Sequence, residues 1–240
     1  MNQFKEKLKT KWNEFKSEKV SPVLLILIVI NTVAMLISNI IACKTFNLFK
    51  FPGMDWYVVL PSAVVIFPIT YILSDVFSEV YGYKWTRRTA WISFALNLFM
   101  VLIFELAIAM PGETDLSVLH STWFLLIASL LAYMVGDFVN DVVFKKLKEK
   151  HGEKGFVKRA LLSSLTGEFT DSLIYIPLGM YVLPKLFMGF SFMSLSQVGI
   201  CIIIQPLFKV CYELIVSPIT YNLSKKLKKV EAENGNTYSL

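Results

Sequence analysis

Residues 71–83 read Tyr-Ile-Leu-Ser-Asp-Val-Phe-Ser-Glu-Val-Tyr-Gly-Tyr, and this stretch contains two carboxylates. Asp75 and Glu79 are four residues apart, so on a helix they share one face. The stretch closes an apolar run that begins near Trp56. Acidic side chains are costly inside a bilayer and usually mark a function there. If this helix crosses a membrane, its two acids predict a functional site.

Composition favours a polytopic membrane protein. Of the 240 residues 55% are hydrophobic, against roughly 45–50% in a soluble domain. The apolar residues fall in blocks separated by short polar loops. In a soluble protein a net charge of +6 would indicate binding to nucleic acid. Here, however, the basic residues cluster between apolar runs. The predicted partners are therefore the lipid bilayer and a small molecule, and not nucleic acid.

The apolar blocks predict an all-α protein with six transmembrane helices. They cover residues 21–42, 56–80, 89–110, 123–144, 160–183 and 196–222. Each has the roughly 20 residues that a bilayer core requires. Pro68 predicts a kink inside the second span. The domain organisation is then a basic amphipathic segment over 1–20, a transmembrane domain over 21–222 and a polar tail over 223–240.

The basic residues predict the orientation of the chain. With both termini in the cytoplasm, 20 lysines and arginines lie inside and three lie outside. Such an excess matches the rule that cytoplasmic loops are positively charged. It also supports an even number of spans. We expect a multi-pass protein of the cell inner membrane.

Ionisable residues inside the predicted spans indicate an acidic cavity. The acids are Asp75, Glu79, Glu105, Asp137, Asp141, Glu168, Asp171 and Glu213, and the one base is Lys209. Most of them repeat at steps of three or four residues, so each helix has one polar stripe. An interhelical hydrogen bond gives only ~0.6 kcal/mol, whereas inserting a central charge costs ~2.5–3.5 kcal/mol. Structural bonding alone therefore does not explain so many acids, although Glu105 and Glu213 fit a structural role best.

An acidic cavity suits a cation or a heterocycle that presents adjacent N–H donors. The predicted binding residues are Asn39, Asp75, Glu79, Asp137, Asn140, Asp141, Glu168, Asp171, Gln205 and Lys209. Five aromatic residues could stack on a flat ring or serve only in packing. They are Tyr71, Tyr81, Tyr133, Phe169 and Tyr175.

The sequence gives no sign of an enzyme, a metal or a cofactor. It has no phosphate-binding G-x-x-x-x-G-K-[ST] motif, no H-E-x-x-H motif and no serine–histidine pair in a span. Its three cysteines form no C-x-x-C pair. We expect no catalytic residues, although an intramembrane enzyme that uses paired carboxylates is one alternative. Another is a scaffold whose polar side chains only hold helices together.

Several motifs resemble the queuosine precursor transporter family, a branch of the vitamin uptake transporters. They are Ser38-Asn39, Phe67-Pro68, Ser74-Asp75, Tyr81-Gly82, Gly136, Asp141-Val142-x-Phe144, Gly167-x-x-x-Asp171-Ser172, Phe208-Lys209 and Pro218. Asn39, Asp75, Asp141, Asp171 and Lys209 match the polar pattern of that family. Glu79, Asp137 and Glu168 lie at positions where the family varies more.

The resemblance implies uptake of 7-cyano- and 7-aminomethyl-7-deazaguanine for tRNA modification. It also implies a six-helix architecture like that of the substrate-binding subunits of energy-coupling-factor transporters, but without dedicated ATPase subunits. A vitamin-binding subunit that docks on a separate ATPase stays open as an alternative. The sequence also leaves open whether the protein is a homo-oligomer.

Overall fold

The computed structural model describes residues 6, 20–50, 57–112, 117–151, 156–236 and 238. The segment predicted over 1–20 therefore lies almost entirely outside the described residues. The helices are α1 (Pro22–Ile41), α2 (Phe67–Val76), α3 (Tyr83–Ala109), α4 (Ser117–His151), α5 (Phe156–Pro177), α6 (Leu183–Phe187) and α7 (Leu195–Glu233). The remaining elements are strands β1 (Thr45–Lys50) and β2 (Tyr57–Pro61), a 3-10 turn (Ser62–Val65) and two π turns (Phe77–Tyr81 and Leu178–Val182).

Four stretches of helix in the described part of the chain are long and apolar enough to cross a membrane. They are Pro22–Ile41, Tyr83–Ala109, Leu119–Asn140 and Leu195–Glu233. Large apolar side chains such as Val29, Phe99 and Ile215 are more than half exposed on their outer faces. An exposed apolar surface of this extent fits contact with lipid. The prediction of a helical membrane protein is thus confirmed, whereas the number of six spans and the cytoplasmic termini stay predictions.

Local chemistry sets where the helices begin. The Ser21 side chain accepts a hydrogen bond from the backbone N–H of Leu24 at the start of α1. Ser194 and Gln197 form a capping box at the start of α7. Between the first π turn and α3, Gly82 has a φ of 81°, a conformation that glycine adopts without steric cost.

The second predicted span is wrong at its start. Residues 57–61 form β2, which pairs antiparallel with β1 through a bulge between Asn47 and Phe49. Val58 and Leu60 are buried, because this hairpin packs into the protein core. Pro68 lies in the first turn of α2, where its missing N–H would have no partner anyway, so it begins a helix and does not kink one.

The last two long helices tolerate prolines in different ways. α5 ends at Pro177 and continues as a π turn over Leu178–Val182. α7 contains both Pro206 and Pro218 and yet runs on to Glu233, past residue 222 where the sequence predicts the last span to end.

Two buried clusters lie at opposite ends of the bundle. The first surrounds the hairpin and includes Leu60, Phe124 and Met180; we call this the hairpin end. The second includes Leu24 and Phe77 and lies where α1 begins and α7 finishes. We call that end the lysine-rich end, since the last turns of α7 contain four lysines there. The polar cavity described below lies between the two clusters.

A buried carboxylate joins three segments at the lysine-rich end. Glu231 is only 2% exposed. Its Oε1 accepts hydrogen bonds from the Ser21 hydroxyl at 2.6 Å and the Tyr81 hydroxyl at 2.8 Å, and its Oε2 accepts one from the Asn236 amide at 2.9 Å. Burial and the bond to Glu231 raise the pKa of Tyr81, so its phenol remains a donor. These bonds hold the end of α7 against the start of α1.

Candidate functional site

A polar cavity of about 420 Å³ lies within the helical bundle. Small-molecule sites generally measure about 300–1,000 Å³, so the size suits a ligand of that class. Side chains from α1, α2, α3, α4, α5 and α7 line it. Among the described residues, the lining contains five carboxylates and one ammonium group.

The ammonium group of Lys209 binds two of these carboxylates. Its Nζ lies 2.6 Å from Oε2 of Glu168 and 2.9 Å from Oδ2 of Asp171. Lys209 itself is 7% exposed, and the two acids are about a quarter exposed. We call Glu168, Asp171 and Lys209 the charged triad. With every member ionised it retains one net negative charge.

Two other carboxylates line the cavity without a partner. Asp75 on α2 and Glu213 on α7 form no side-chain hydrogen bond or ion pair with any of the described residues. Carboxylates of this kind retain their full capacity to accept hydrogen bonds from a ligand. The sequence predicts a binding role for Asp75 and a structural role for Glu213, and the structure places both in the cavity lining.

Asp137 and Asn140 extend the lining along α4. Asp137 pairs with Arg87 of α3 at 3.0 Å, so its charge is already neutralised by the protein. Asn140 lies beside a close crossing of α4 and α5. A Cβ atom added to Gly167 would be 2.9 Å from the Cβ of Asn140, and one added to Gly136 would be 3.1 Å from the carbonyl oxygen of Gly167. The two glycines therefore let the helices approach closely enough to present Asn140 and Asp171 to one cavity.

Asn39 and Gln205 add amide groups. The Asn39 amide donates to the backbone carbonyl of Thr122 at 3.3 Å, which ties α1 to α4. Gln205 is 2% exposed, and its Oε1 accepts a weak hydrogen bond from the thiol of Cys201 at 3.7 Å.

Most of the predicted binding residues meet at this cavity. Those that line it are Asn39, Asp75, Asp137, Asn140, Glu168, Asp171, Gln205 and Lys209. Glu79 lies elsewhere, and the side chain of Asp141 is outside what the structure describes. The convergence fits the predicted polar stripes, while the role of each residue in binding stays a prediction.

The aromatic predictions divide in a similar way. Tyr133 and Tyr175 line the cavity, and Tyr133 packs against the ring of Phe94 with the ring centroids 5.3 Å apart. Tyr81 belongs instead to the Glu231 cluster, and Phe169 is 43% exposed and is not part of the cavity lining. The side chain of Tyr71 lies outside the described residues.

Asp75 also lines a second, open pocket of about 520 Å³ toward the lysine-rich end. Glu79 lies in this pocket, where its carboxylate accepts a hydrogen bond from Lys228. Asp75 and Glu79 therefore share this second pocket, and of the two only Asp75 also lines the central cavity. Asp75 is thus the residue common to both spaces.

The predicted binding residues leave out several neutral polar residues of the cavity. Asn31 on α1 and Thr89 and Asn97 on α3 all line it. The predictions start from charged side chains, so they pass over the third span, whose only acid is Glu105. That acid is near the hairpin end of α3, where it bonds Nδ1 of His120 at 2.8 Å outside the cavity lining. The spacing of Thr89, Ser93 and Asn97 at steps of four residues is the signal that would have revealed this face.

No three histidine, cysteine, aspartate or glutamate side chains lie in a metal-binding arrangement within the described ranges. The cavity presents hydrogen-bonding groups, aromatic rings and two carboxylates that have no side-chain partner among the described residues. Such groups can accept hydrogen bonds from an organic molecule.

A family model described as "putative vitamin uptake transporter" matches residues 61–223, about two thirds of the chain. The chain belongs to this family. Comparisons with curated proteins and with solved structures give no match. Membership in the vitamin uptake transporter family confirms the resemblance seen in the sequence at the level of that family. It identifies a multi-pass membrane protein that takes up a small molecule, and a transporter agrees with the expectation of a non-enzyme.

Proposed function

We propose that this vitamin uptake transporter imports 7-deazaguanine precursors of queuosine across the inner membrane. The observation that carries the proposal is the cavity itself: unpartnered carboxylates, amides and aromatic rings surround one space inside a membrane-type helical bundle. The resemblance of several motifs to the queuosine precursor branch of the family supports this substrate class.

The chemistry of the substrate complements that of the lining. A deazaguanine edge presents adjacent N–H donors, and a carboxylate can accept two of them side by side. Asp75 and Glu213 are available for this because neither has a partner among the described side chains. The aminomethyl form adds a cation, which the excess of carboxylates over ammonium groups also favours.

The flat ring of the substrate has aromatic partners in the cavity. Tyr133, Tyr175 and Phe94 lie in its lining. Offset or edge contacts between such rings contribute about 0.5–1.5 kcal/mol beyond the burial of area. Stacking on one of them would orient the base while carboxylates bind its edge.

Asp75 marks a route from the cavity to the lysine-rich end. It lines both the central cavity and the open pocket in which Glu79 meets Lys228. We propose that substrate leaves between α2 and α7 on the cytoplasmic side, past this ion pair. A Glu79→Cys/Lys228→Cys protein, cross-linked by oxidation, is expected to lose uptake and to recover it on reduction. Unchanged uptake by the cross-linked protein would exclude this route.

Uptake in cells tests the substrate class. Cells that cannot make queuosine precursors should incorporate queuosine into tRNA from external 7-cyano- or 7-aminomethyl-7-deazaguanine only when this protein is expressed. The matched control is Asp171→Asn with equal membrane expression. Equal incorporation with and without the protein would refute the proposal, and an uncoupler added to the same assay shows whether accumulation depends on a proton gradient.

A second candidate is the uptake of another vitamin-sized molecule, since the family description names vitamins. Thermal stabilisation of the purified protein separates the two, because a ligand that binds the folded state raises its melting temperature. Selective stabilisation by a vitamin, with none by deazaguanines, would favour the second candidate. Co-purification with an ATPase module would identify it as a subunit of an energy-coupling-factor transporter.

A further inference from the structure

One face of α3 presents neutral polar side chains at regular spacing. Thr89, Ser93 and Asn97 are one helical turn apart and are all less than 3% exposed. Thr89 and Asn97 line the cavity, whereas Ser93 does not. α3 packs against α1 and α4, while Lys209 lies on α7, which packs against α2 and α5. The neutral face and the charged triad therefore belong to different walls of the same space.

The bonds around Ser93 are satisfied within the protein. Its hydroxyl contacts Nδ2 of Asn31 at 3.2 Å and the hydroxyl of Thr32 at 3.1 Å, which joins α3 to α1. The backbone carbonyl of Ser93 also accepts a hydrogen bond from Nδ2 of Asn97 at 3.0 Å. This bond fixes the orientation of the Asn97 amide, because only its nitrogen can donate to a carbonyl.

The opposite atom of that amide has no partner. Oδ1 of Asn97 and Oγ1 of Thr89 are buried and make no hydrogen bond with the described residues. Buried polar atoms in proteins are nearly always paired, so an unpaired acceptor on a cavity wall calls for an explanation. Thr89 lies two helical turns, about 12 Å, from Asn97 along α3, so one small ligand would contact one of them at a time.

We propose that Asn97 is a specificity-determining residue whose Oδ1 accepts a hydrogen bond from an N–H or O–H group of the transported molecule. The inference deepens the proposed transport function and rests on it. The charged triad, Asp75 and Glu213 bind one part of the substrate. The side-chain carbonyl of Asn97 accepts a hydrogen bond from a donor on another part. An analogue that lacks the matching donor should bind much more weakly, because Oδ1 of Asn97 then stays buried without a hydrogen bond.

Binding to the purified full-length protein tests the role of Asn97. The probes are guanine, 7-cyano- and 7-aminomethyl-7-deazaguanine, thiamine, riboflavin and biotin. Asn97→Ala should raise the Kd of the bound probe at least tenfold. The matched control is Ser93→Ala, which removes buried hydrogen bonds with Asn31 and Thr32 at a residue that does not itself line the cavity. It should lower the melting temperature and leave Kd within twofold. A Kd for Asn97→Ala within twofold of the original protein would overturn the inference.

A second variant keeps the inference testable should Asn97→Ala not fold. Asn97→Asp retains an acceptor oxygen and adds a negative charge, so it should shift the preference toward the cationic aminomethyl probe, relative to the neutral cyano probe, by at least fivefold. An unchanged preference would count against contact with the ligand. If the original protein binds a vitamin but no deazaguanine, the proposed substrate fails and the comparison of Asn97→Ala with Ser93→Ala is made with that vitamin. Failure to bind any probe would overturn both proposals.

Discussion

Replacing Lys209 by methionine should destabilise the protein strongly. The substitution keeps most of the side-chain length but removes the ammonium group that bonds Glu168 at 2.6 Å and Asp171 at 2.9 Å. Two carboxylates would then face each other with no cation between them. Removing one partner of a buried ion pair costs about 3–5 kcal/mol. Because both acids are about a quarter exposed to the cavity, water and protonation reduce the cost, and we expect the lower end of that range.

Thermal unfolding in lipid nanodiscs measures this effect. A change of 1 kcal/mol shifts the melting temperature of a chain of this size by roughly 2–4 °C, so Lys209→Met should lower it by roughly 6–12 °C. The double variant Lys209→Met/Glu168→Gln removes one of the two opposed charges and should recover more than half of the loss. Lys209→Arg retains the charge and serves as the control. An unchanged melting temperature for Lys209→Met, or no recovery in the double variant, would refute the assignment of the triad as a coupled unit.

Two further predictions concern packing and the lysine-rich end. Gly167→Ala should destabilise the protein by about 1–3 kcal/mol, because the new Cβ would lie 2.9 Å from that of Asn140; Gly199→Ala meets no atom within 4 Å and should be neutral or stabilising. Equal melting temperatures for the two variants would contradict the close helix crossing. Glu231→Ala should cost about 1–3 kcal/mol, since three donors lose a buried acceptor, whereas Glu233→Ala, at an exposed position, should stay within about 0.5 kcal/mol. Equal losses in those two variants would rule out a stabilising role for the buried Glu231 cluster.

The sequence predicts a membrane protein well, because the hydrophobicity of a segment can be read from the residues of that segment alone. Runs of about 20 apolar residues are recognisable without knowledge of tertiary structure. The polar stripes follow equally directly from helical spacing, which is why Asp75, Asp171 and Lys209 were predicted to meet and do line one cavity.

Local irregularities were harder to predict. The apolar residues 57–61 read as part of a helical span, but they form a buried strand, since a short apolar run is compatible with either structure. A π turn follows Val76 where the spacing predicts a continuous regular helix, and Glu79 lines only the second pocket whereas Asp75 lines both. A single sequence contains no strong signal for either the strand or the π turn.

The sequence predictions for the site start from charged side chains. Glu213 fits a structural role in the sequence, but it lines the cavity and has no side-chain partner among the described residues. Asn97 and Thr89 carry no charge and did not stand out. Only the structure shows which polar groups the protein itself satisfies, and unsatisfied groups are the ones available to a ligand.

Binding to Asp75→Asn tests the central claim, that unpartnered carboxylates in the cavity bind the transported molecule. Asp75 makes no side-chain bond with the described residues, so its loss removes no known stabilising contact. The variant should melt at the same temperature as the original protein or higher, and should bind 7-aminomethyl-7-deazaguanine at least tenfold more weakly. A lower melting temperature with undiminished affinity would contradict the account and favour a purely structural role for the acid.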